Sequence, residues 1–276
     1  MIRELFVEFS LRGQVIAEVG LVLLATCLLG AVTIIGRSRL AALAADLRPR
    51  LKESAPYVSV LVAVLVLNFL LRTPSQELSW AINLNITDTI WSIEGEFVAV
   101  IQSFETELLT QYFSIVYVYG YAFLLVFPLL AYLALSDRTT FKRLVVAYSL
   151  NYFIGLALYI IFIAYGPRNT HPEVFQNLIY DLVGGADAGY QFLTAEVNAH
   201  TNVFPSLHTS LSATVAIFAY RTREEYRSWL AIATVLAVSI TISTMYLGIH
   251  WATDVVAGLA LAGLCVYLAE RYIGDD

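Results

Sequence analysis

His250 and Asp254 are a histidine and a carboxylate at the start of an apolar run. Their spacing of four residues places both side chains on one face if the run is a helix. A carboxylate there can accept the imidazole Nδ1 proton, which leaves Nε2 available as a nucleophile. The alternative is a buried pair that only joins helices. The spacing therefore makes His250 a candidate nucleophile and Asp254 its orienting residue.

A second histidine, His208, ends the sequence Pro205-Ser206-Leu207-His208 at the start of another apolar run. Proline suits the first turn of a helix, so we expect the N–H groups of Ser206, Leu207 and His208 to be unpaired there. With the helix dipole, they would bind an anion. The Ser206 hydroxyl adds a donor, and His208 is placed to protonate a leaving oxygen. The alternative is a proline that starts a helix beside an interfacial histidine.

Arg168 follows Gly166-Pro167 in a polar, acidic stretch that extends to residue 204. A guanidinium fixed at such a turn can hold a phosphate through two parallel hydrogen bonds. The alternative is an interfacial arginine that contacts lipid headgroups nonspecifically. Together, the two histidines, Asp254 and Arg168 form a candidate phosphate-handling set.

The composition places these residues in a membrane protein. The 276 residues are 59% hydrophobic and 14% charged, with a mean hydropathy of +0.71, whereas soluble domains have about 25% charged residues. The net charge is −6, and no basic patch predicts nucleic-acid binding. Cys27 and Cys265 lie in apolar runs, which favours buried thiols over a disulfide or a metal site.

Hydropathy predicts an all-α, polytopic membrane helix bundle of about seven transmembrane helices in a single domain, 1–276. Because a span needs about 20 apolar residues, the predicted spans are 15–36, 56–72, 113–135, 143–165, 205–220, about 229–246 and about 251–271. The last two need a break, which we place at Gly248. In residues 76–110, apolar residues recur at roughly helical spacing with polar residues between them, which predicts an interfacial amphipathic segment. No second domain or internal repeat is evident.

The basic residues predict the orientation. With seven spans, 12 of the 16 Lys and Arg residues lie on one side, which is therefore cytoplasmic and includes the carboxyl terminus. Both histidine motifs and Arg168 then face the outer side. The four basic residues on that outer side are Arg3, Arg12, Arg72 and Arg168.

These motifs resemble the type 2 phosphatidic acid phosphatase superfamily, whose patterns are Lys-x6-Arg-Pro, Pro-Ser-Gly-His and Ser-Arg-x5-His-x3-Asp. The resemblance covers about residues 165–262 and implies a six-helix catalytic core, at about 113–272, plus one helix. It implies His250 as the nucleophile, Asp254 as its orienting residue and His208 as the acid. Arg168, Ser206 and Leu207 would bind the substrate phosphate, and no metal or other cofactor is implied.

Four positions depart from these patterns: Leu207 replaces glycine, Ile161 replaces lysine, Asn169 replaces proline and Thr244 replaces arginine. Pro-Ser-Leu-His and Thr244-Met245-Tyr246-Leu247 resemble the inositol phosphorylceramide synthase branch. A site with fewer cations also suits a phosphodiester, with one negative charge, better than a monoester dianion.

The sequence thus predicts a membrane enzyme that acts on lipid phosphates through a phosphohistidine intermediate. An inositolphosphate-type head-group transferase with a lipid alcohol acceptor is favoured over a lipid phosphate phosphatase. A transporter or a metal- or proton-binding membrane protein is the alternative of another class, and a purely structural membrane protein is the third.

Overall fold

Long apolar stretches form helices because a helix satisfies its backbone hydrogen bonds within one segment. The computed structural model describes residues 2–178 and 203–274. Two π-helical segments, Ala31–Ile35 and Val116–Gly120, continue longer helices. In chain order the α-helices of these residues are α1 (Ile2–Gly30), α2 (Arg37–Ala45), α3 (Leu47–Leu70), α4 (Arg72–Ile82), α5 (Thr87–Glu94), α6 (Phe97–Gln102), α7 (Glu107–Ile115), α8 (Tyr121–Leu133), α9 (Thr139–Ile161), α10 (Pro167–Thr170), α11 (Leu207–Arg221), α12 (Arg227–Tyr246) and α13 (Ala252–Tyr272).

The prediction of an all-α polytopic membrane bundle is confirmed, but the count of seven spans is not. Within the described ranges, six helical stretches are long and apolar enough to cross a membrane: Ile16–Ile35, Leu47–Leu70, Glu107–Leu133, Thr139–Ile161, Arg227–Tyr246 and Ala252–Tyr272. The predicted fifth span corresponds to α11, which has only 15 residues. At 1.5 Å per residue, a helix of that length extends about 22 Å, less than a bilayer core of about 30 Å.

Several predicted boundaries shift because helices continue past their apolar parts. The stretch 37–55, predicted as a basic loop, is helical from Arg37 to Ala45 and again from Leu47. The third predicted span begins at Glu107 instead of 113. Charged residues at these ends cost little where a helix projects beyond the apolar layer, which is why hydropathy alone places the boundaries too far inward.

Residues 72–106, which we call the outer segment after the orientation predicted from the sequence, form three short helices, α4 to α6, that include most of the predicted amphipathic stretch. Their buried side chains include Ser79, Ile90, Val98 and Gln102. Several of their large apolar side chains are exposed instead: Leu78, Trp80, Ile82, Leu84, Ile93, Phe97, Val100 and Phe104. Exposed apolar groups around a partly polar interior are typical of a segment that lies at a membrane interface.

The centre of the bundle is α11, which packs against α8, α9, α12 and α13. A buried aromatic cluster fills the space beside it, with the Phe127 and Trp229 ring centroids 4.8 Å apart. Trp229 donates its indole N–H to the Tyr132 hydroxyl at 3.1 Å. Helix α1 approaches this cluster closely at Gly30, where an added Cβ would lie 2.5 Å from the Phe127 ring. The short central helix thus packs against four neighbouring helices.

Candidate active site

His250 lies in a tight loop between α12 and α13. Gly248 has φ of +70°, a left-handed conformation that favours glycine. The N–H groups of Ile249 and His250 both donate to the Thr244 carbonyl, at 2.9 and 3.0 Å. The predicted break at Gly248 is therefore confirmed, and two hydrogen bonds hold the His250 backbone against the end of α12.

Asp254 lies in the first turn of the next helix, α13, and is fully buried beside His250. The distance from His250 Nδ1 to Asp254 Oδ2 is 3.4 Å, longer than an ordinary hydrogen bond of about 2.7–3.2 Å. Oδ2 instead accepts the Trp251 N–H at 2.8 Å. The two side chains are neighbours, as the spacing predicts, and the Trp251 bond fixes the carboxylate against the first turn of α13.

The His250 imidazole is neutral in this environment. Burial lowers the pKa of His250 to about 3, a hydrogen bond to the Val203 backbone raises it, and the positive charge of Arg168 lowers it. The cause is that a cationic imidazole loses its hydration when the ring is 3% exposed. A neutral ring retains the lone pair that a nucleophile needs.

His208 faces His250 across the site, with ring centroids 5.7 Å apart. The rings of Tyr117 and Tyr121 pack against His208 at centroid distances of 4.9 and 4.8 Å. Sequence reasoning did not assign these tyrosines to the site, although the span at 113–135 is rich in tyrosine. They enclose His208, which is 8% exposed.

The start of α11 differs from the prediction. The Ser206 N–H donates to the Asp254 carbonyl at 3.0 Å, and the Ser206 hydroxyl accepts the Thr209 N–H at 3.3 Å. The Leu207 N–H is hydrogen-bonded to the Tyr159 hydroxyl, which donates to the Pro205 carbonyl at 3.1 Å. The expectation that the N–H groups of Ser206 and Leu207 are unpaired is therefore wrong, because packing against α9 and α13 supplies acceptors.

Arg168 is brought to the His250 loop by backbone contacts. Its N–H donates to the Gly248 carbonyl at 3.2 Å, and its Nη1 donates to the Asn177 side chain at 3.3 Å. Gly166 permits this approach, because an added Cβ would lie 2.3 Å from the Ile249 carbonyl oxygen. The structure thus joins the two predicted motifs and Arg168, which are separated by up to 86 residues in sequence.

The positions that depart from the resembled motifs add no cation to the site. Ile161 is 41% exposed at the end of α9, and Thr244 is fully buried.

Glu94 of the outer segment, which the sequence reasoning passed over, reaches the start of α13. Burial raises the pKa of Glu94, whereas hydrogen bonds from the N–H groups of Ala252 and Thr253 lower it. Among residues 2–178 and 203–274, no group of three His, Cys, Asp or Glu side chains is arranged to hold a metal ion.

The protein is thus an integral-membrane helix bundle with a polar site between its helices. That site contains a buried His–Asp pair, a facing histidine and an arginine. The family model described as the PAP2 superfamily matches residues 87–268, and the chain belongs to this superfamily. The match begins within the outer segment, earlier than the predicted core at about 113.

The fold is also similar to the crystal structure of LpxE from Aquifex aeolicus. That similarity has a TM-score of 0.50 at 23% sequence identity, and it covers 65% of this chain and 96% of that one. No curated protein matches this chain. The structural likeness supports the fold, and the residues above supply the basis for a function.

Proposed function

We propose that this protein is an integral-membrane phosphotransferase that acts on lipid phosphates through a phosphohistidine at His250. Membership of the PAP2 superfamily and the transmembrane bundle support a membrane lipid phosphatase or phosphoryl-transfer enzyme. One observation carries the proposal: the buried side chains of His250, Asp254 and His208 lie together, with the half-buried Arg168 close enough to act on His250. Buried ionisable groups in a membrane protein are costly, which makes a functional role the default hypothesis.

We assign each residue one role. Arg168 holds the phosphate, and Nε2 of His250 attacks the phosphorus. Asp254 orients the imidazole and offsets the positive charge that develops on it. As the P–O bond breaks, His208 gives a proton to the departing alcohol oxygen. The products of this first step are a free alcohol and a phosphorylated His250.

The second step decides between two enzymes. With a monoester donor, water attacking the phosphohistidine releases inorganic phosphate, as in a phosphatase; with a diester donor, the head group stays on the phosphohistidine and water releases the head-group phosphate. A lipid alcohol attacking it forms a new phosphodiester, as in a head-group transferase. His208 serves as the base in either case, because it accepts the proton that the incoming hydroxyl loses.

The charges of the site favour a phosphodiester donor, and with it the transferase. Arg168 is the cation that acts on His250, while Asp254 and Glu94 provide two carboxylates nearby. A diester brings one negative charge and a monoester up to two, so repulsion from the carboxylates is smaller for the diester. We favour an inositolphosphate-type head group with a lipid alcohol acceptor, on the resemblance of Pro205-Ser206-Leu207-His208 to that branch.

The side of the membrane is part of the same proposal. The excess of Lys and Arg in the loops at the opposite end supports an active site on the outer side and a cytoplasmic carboxyl terminus.

The mechanism is tested by replacing His250 with alanine in the full chain, purified in lipid nanodiscs. We expect no turnover of labelled phospholipid or lipid phosphate by His250→Ala. His171→Ala is the matched control, since His171 lies near the site but is more exposed and is paired with Glu173 through Nδ1, at 3.1 Å. Turnover by His250→Ala at the wild-type rate would exclude the phosphohistidine mechanism.

The two enzyme outcomes are separated by the acceptor. A phospholipid labelled in its head-group phosphate is supplied with and without a lipid alcohol. We expect label to enter a new lipid only when the alcohol is present. Release of soluble labelled phosphate at the same rate with and without the alcohol would identify a phosphatase and exclude the transferase.

A further inference from the structure

Two polar side chains of the outer segment reach the loop that carries His250, one at each end. The first is Gln102, which is 3% exposed. Its Nε2 donates to the Tyr246 carbonyl at 3.0 Å and to the Gln176 carbonyl at 2.9 Å, and its Oε1 accepts the Gln176 N–H at 3.0 Å. The side-chain amide therefore fixes the end of α12, four residues before His250.

The second is Glu94, the last residue of α5. One carboxylate oxygen accepts the Ala252 N–H at 2.8 Å, and the other accepts the Thr253 N–H at 3.4 Å. These N–H groups lie in the first turn of α13, where a helix has no internal acceptors for them. A carboxylate at this position also interacts favourably with the helix dipole. Glu94 therefore fixes the start of α13, two residues after His250.

Apolar contacts reinforce the same attachment. Trp91, three residues before Glu94, packs against Trp251 with ring centroids 5.9 Å apart. Trp251 is fully buried and donates its indole N–H to the Tyr165 carbonyl at 2.7 Å. The residue after His250 is thus held by the outer segment and by the chain that leads to Arg168.

We propose that Glu94 is a positioning residue for His250, assisted by Gln102, and that the outer segment is part of the catalytic apparatus. This inference rests on the proposed function, since it takes His250 as the nucleophile. His250 sits in a loop of five residues, 247–251, between two helix ends, and each end is bonded to the outer segment. A shift of either end moves the imidazole relative to Arg168 and His208.

The chain offers two variants that weaken the contact between Glu94 and the start of α13 from opposite sides. Glu94→Gln leaves one acceptor oxygen where the carboxylate has two. Ala252→Pro removes the N–H that Glu94 accepts. Proline suits this first helical position, and the preceding Trp251 already has the extended backbone (φ −78°, ψ 159°) that a following proline requires. Glu96→Gln is the matched control, because Glu96 is exposed on the same segment.

The experiment measures kcat, KM and the thermal midpoint for each variant in nanodiscs. We expect Glu94→Gln and Ala252→Pro each to lower kcat by roughly 10-fold with KM changed less than about twofold, since misplaced reacting groups mainly slow the chemical step. The kcat of the double variant should be close to that of the less active single variant, because both changes act on one shared contact. Glu96→Gln should match the wild type.

Wild-type kcat in folded Glu94→Gln and Ala252→Pro would overturn the inference, even if both had lower thermal midpoints, since the contact would then be merely structural. Multiplicative losses in the double variant would also overturn it. If Glu94→Gln does not fold, the kcat of Ala252→Pro decides. Activity in His250→Ala contradicts the proposed function itself, whereas an inactive His250→Ala beside fully active Glu94→Gln contradicts only the positioning role.

Discussion

Replacing Gly166 by alanine should push the segment that carries Arg168 away from the loop that carries His250. The added Cβ would lie 2.3 Å from the Ile249 carbonyl oxygen and 3.2 Å from its carbon, both backbone atoms that no side-chain rotation can move. Restoring an ordinary contact of about 3.5 Å requires a displacement of about 1 Å. Gly166 has φ of −70°, so alanine adds no backbone strain and the contact is the whole perturbation.

The displacement falls on the reacting groups, because Ile249 precedes His250 and Gly166 lies two residues before Arg168. A misplacement of about 1 Å can lower the rate about 100-fold, and overpacking of this kind costs about 1–3 kcal/mol of stability. We therefore expect Gly166→Ala to fold with a lower thermal midpoint and to lose about 100-fold in kcat/KM.

The assay is turnover of labelled phospholipid by purified protein in nanodiscs, normalised to folded protein. Gly263→Ala is the control, since no atom lies within 4 Å of the position that its Cβ would occupy. It should retain full activity. If Gly166→Ala has kcat/KM within about threefold of the wild type, the close approach of these two loops does not set the reactive geometry, and the reasoning fails.

Three further predictions concern the His250–Asp254 pair. The pKa of His250 falls from 6.5 to about 3 on folding. The neutral ring therefore contributes stability above pH 6.5, and this contribution is lost as the pH falls from 6.5 towards 3. Between these pH values, the thermal midpoint should drop less steeply in His250→Asn than in the wild type. For the same reason, kcat/KM for a phosphodiester should not fall as the pH is lowered through 6.5. A fall near pH 6.5 that depends on His250 would contradict the lowered pKa of this buried imidazole. Asp254→Asn can still accept the Trp251 N–H but loses the charge beside the imidazole, so kcat should fall by roughly 10³-fold or more; a loss under tenfold would exclude an orienting role.

The features that local sequence determines were predictable. Gly248 marked the chain reversal because only a glycine adopts its left-handed conformation without cost. The spacing of His250 and Asp254 placed them together because a helix turn does so for any residues four apart. Their approach to His208 and Arg168 followed less directly, from the expectation that the ends of several apolar runs meet at one membrane face.

The features that depend on packing between elements were not predictable. Glu94 and Gln102 are polar residues in an amphipathic stretch, and by sequence they are indistinguishable from a solvated face. Tyr159 closes the first turn of α11 only because α9 packs beside it, and no local signal marks that pairing. The hydrogen bond from Ser206 to the Asp254 carbonyl likewise joins two helix starts that lie 48 residues apart.

These packing contacts reduce the number of helix N–H groups that are available to bind an anion. Two helix N-termini point into the site, and both dipoles favour a negative group. At α13 that group is the protein's own Glu94 carboxylate. At α11 the N–H groups of Ser206 and Leu207 are bonded to Asp254 and Tyr159. Under the proposed function, Arg168 would then supply most of the attraction for the substrate phosphate, and one guanidinium balances one negative charge. This favours a phosphodiester on charge grounds that do not depend on the resemblance of the motifs.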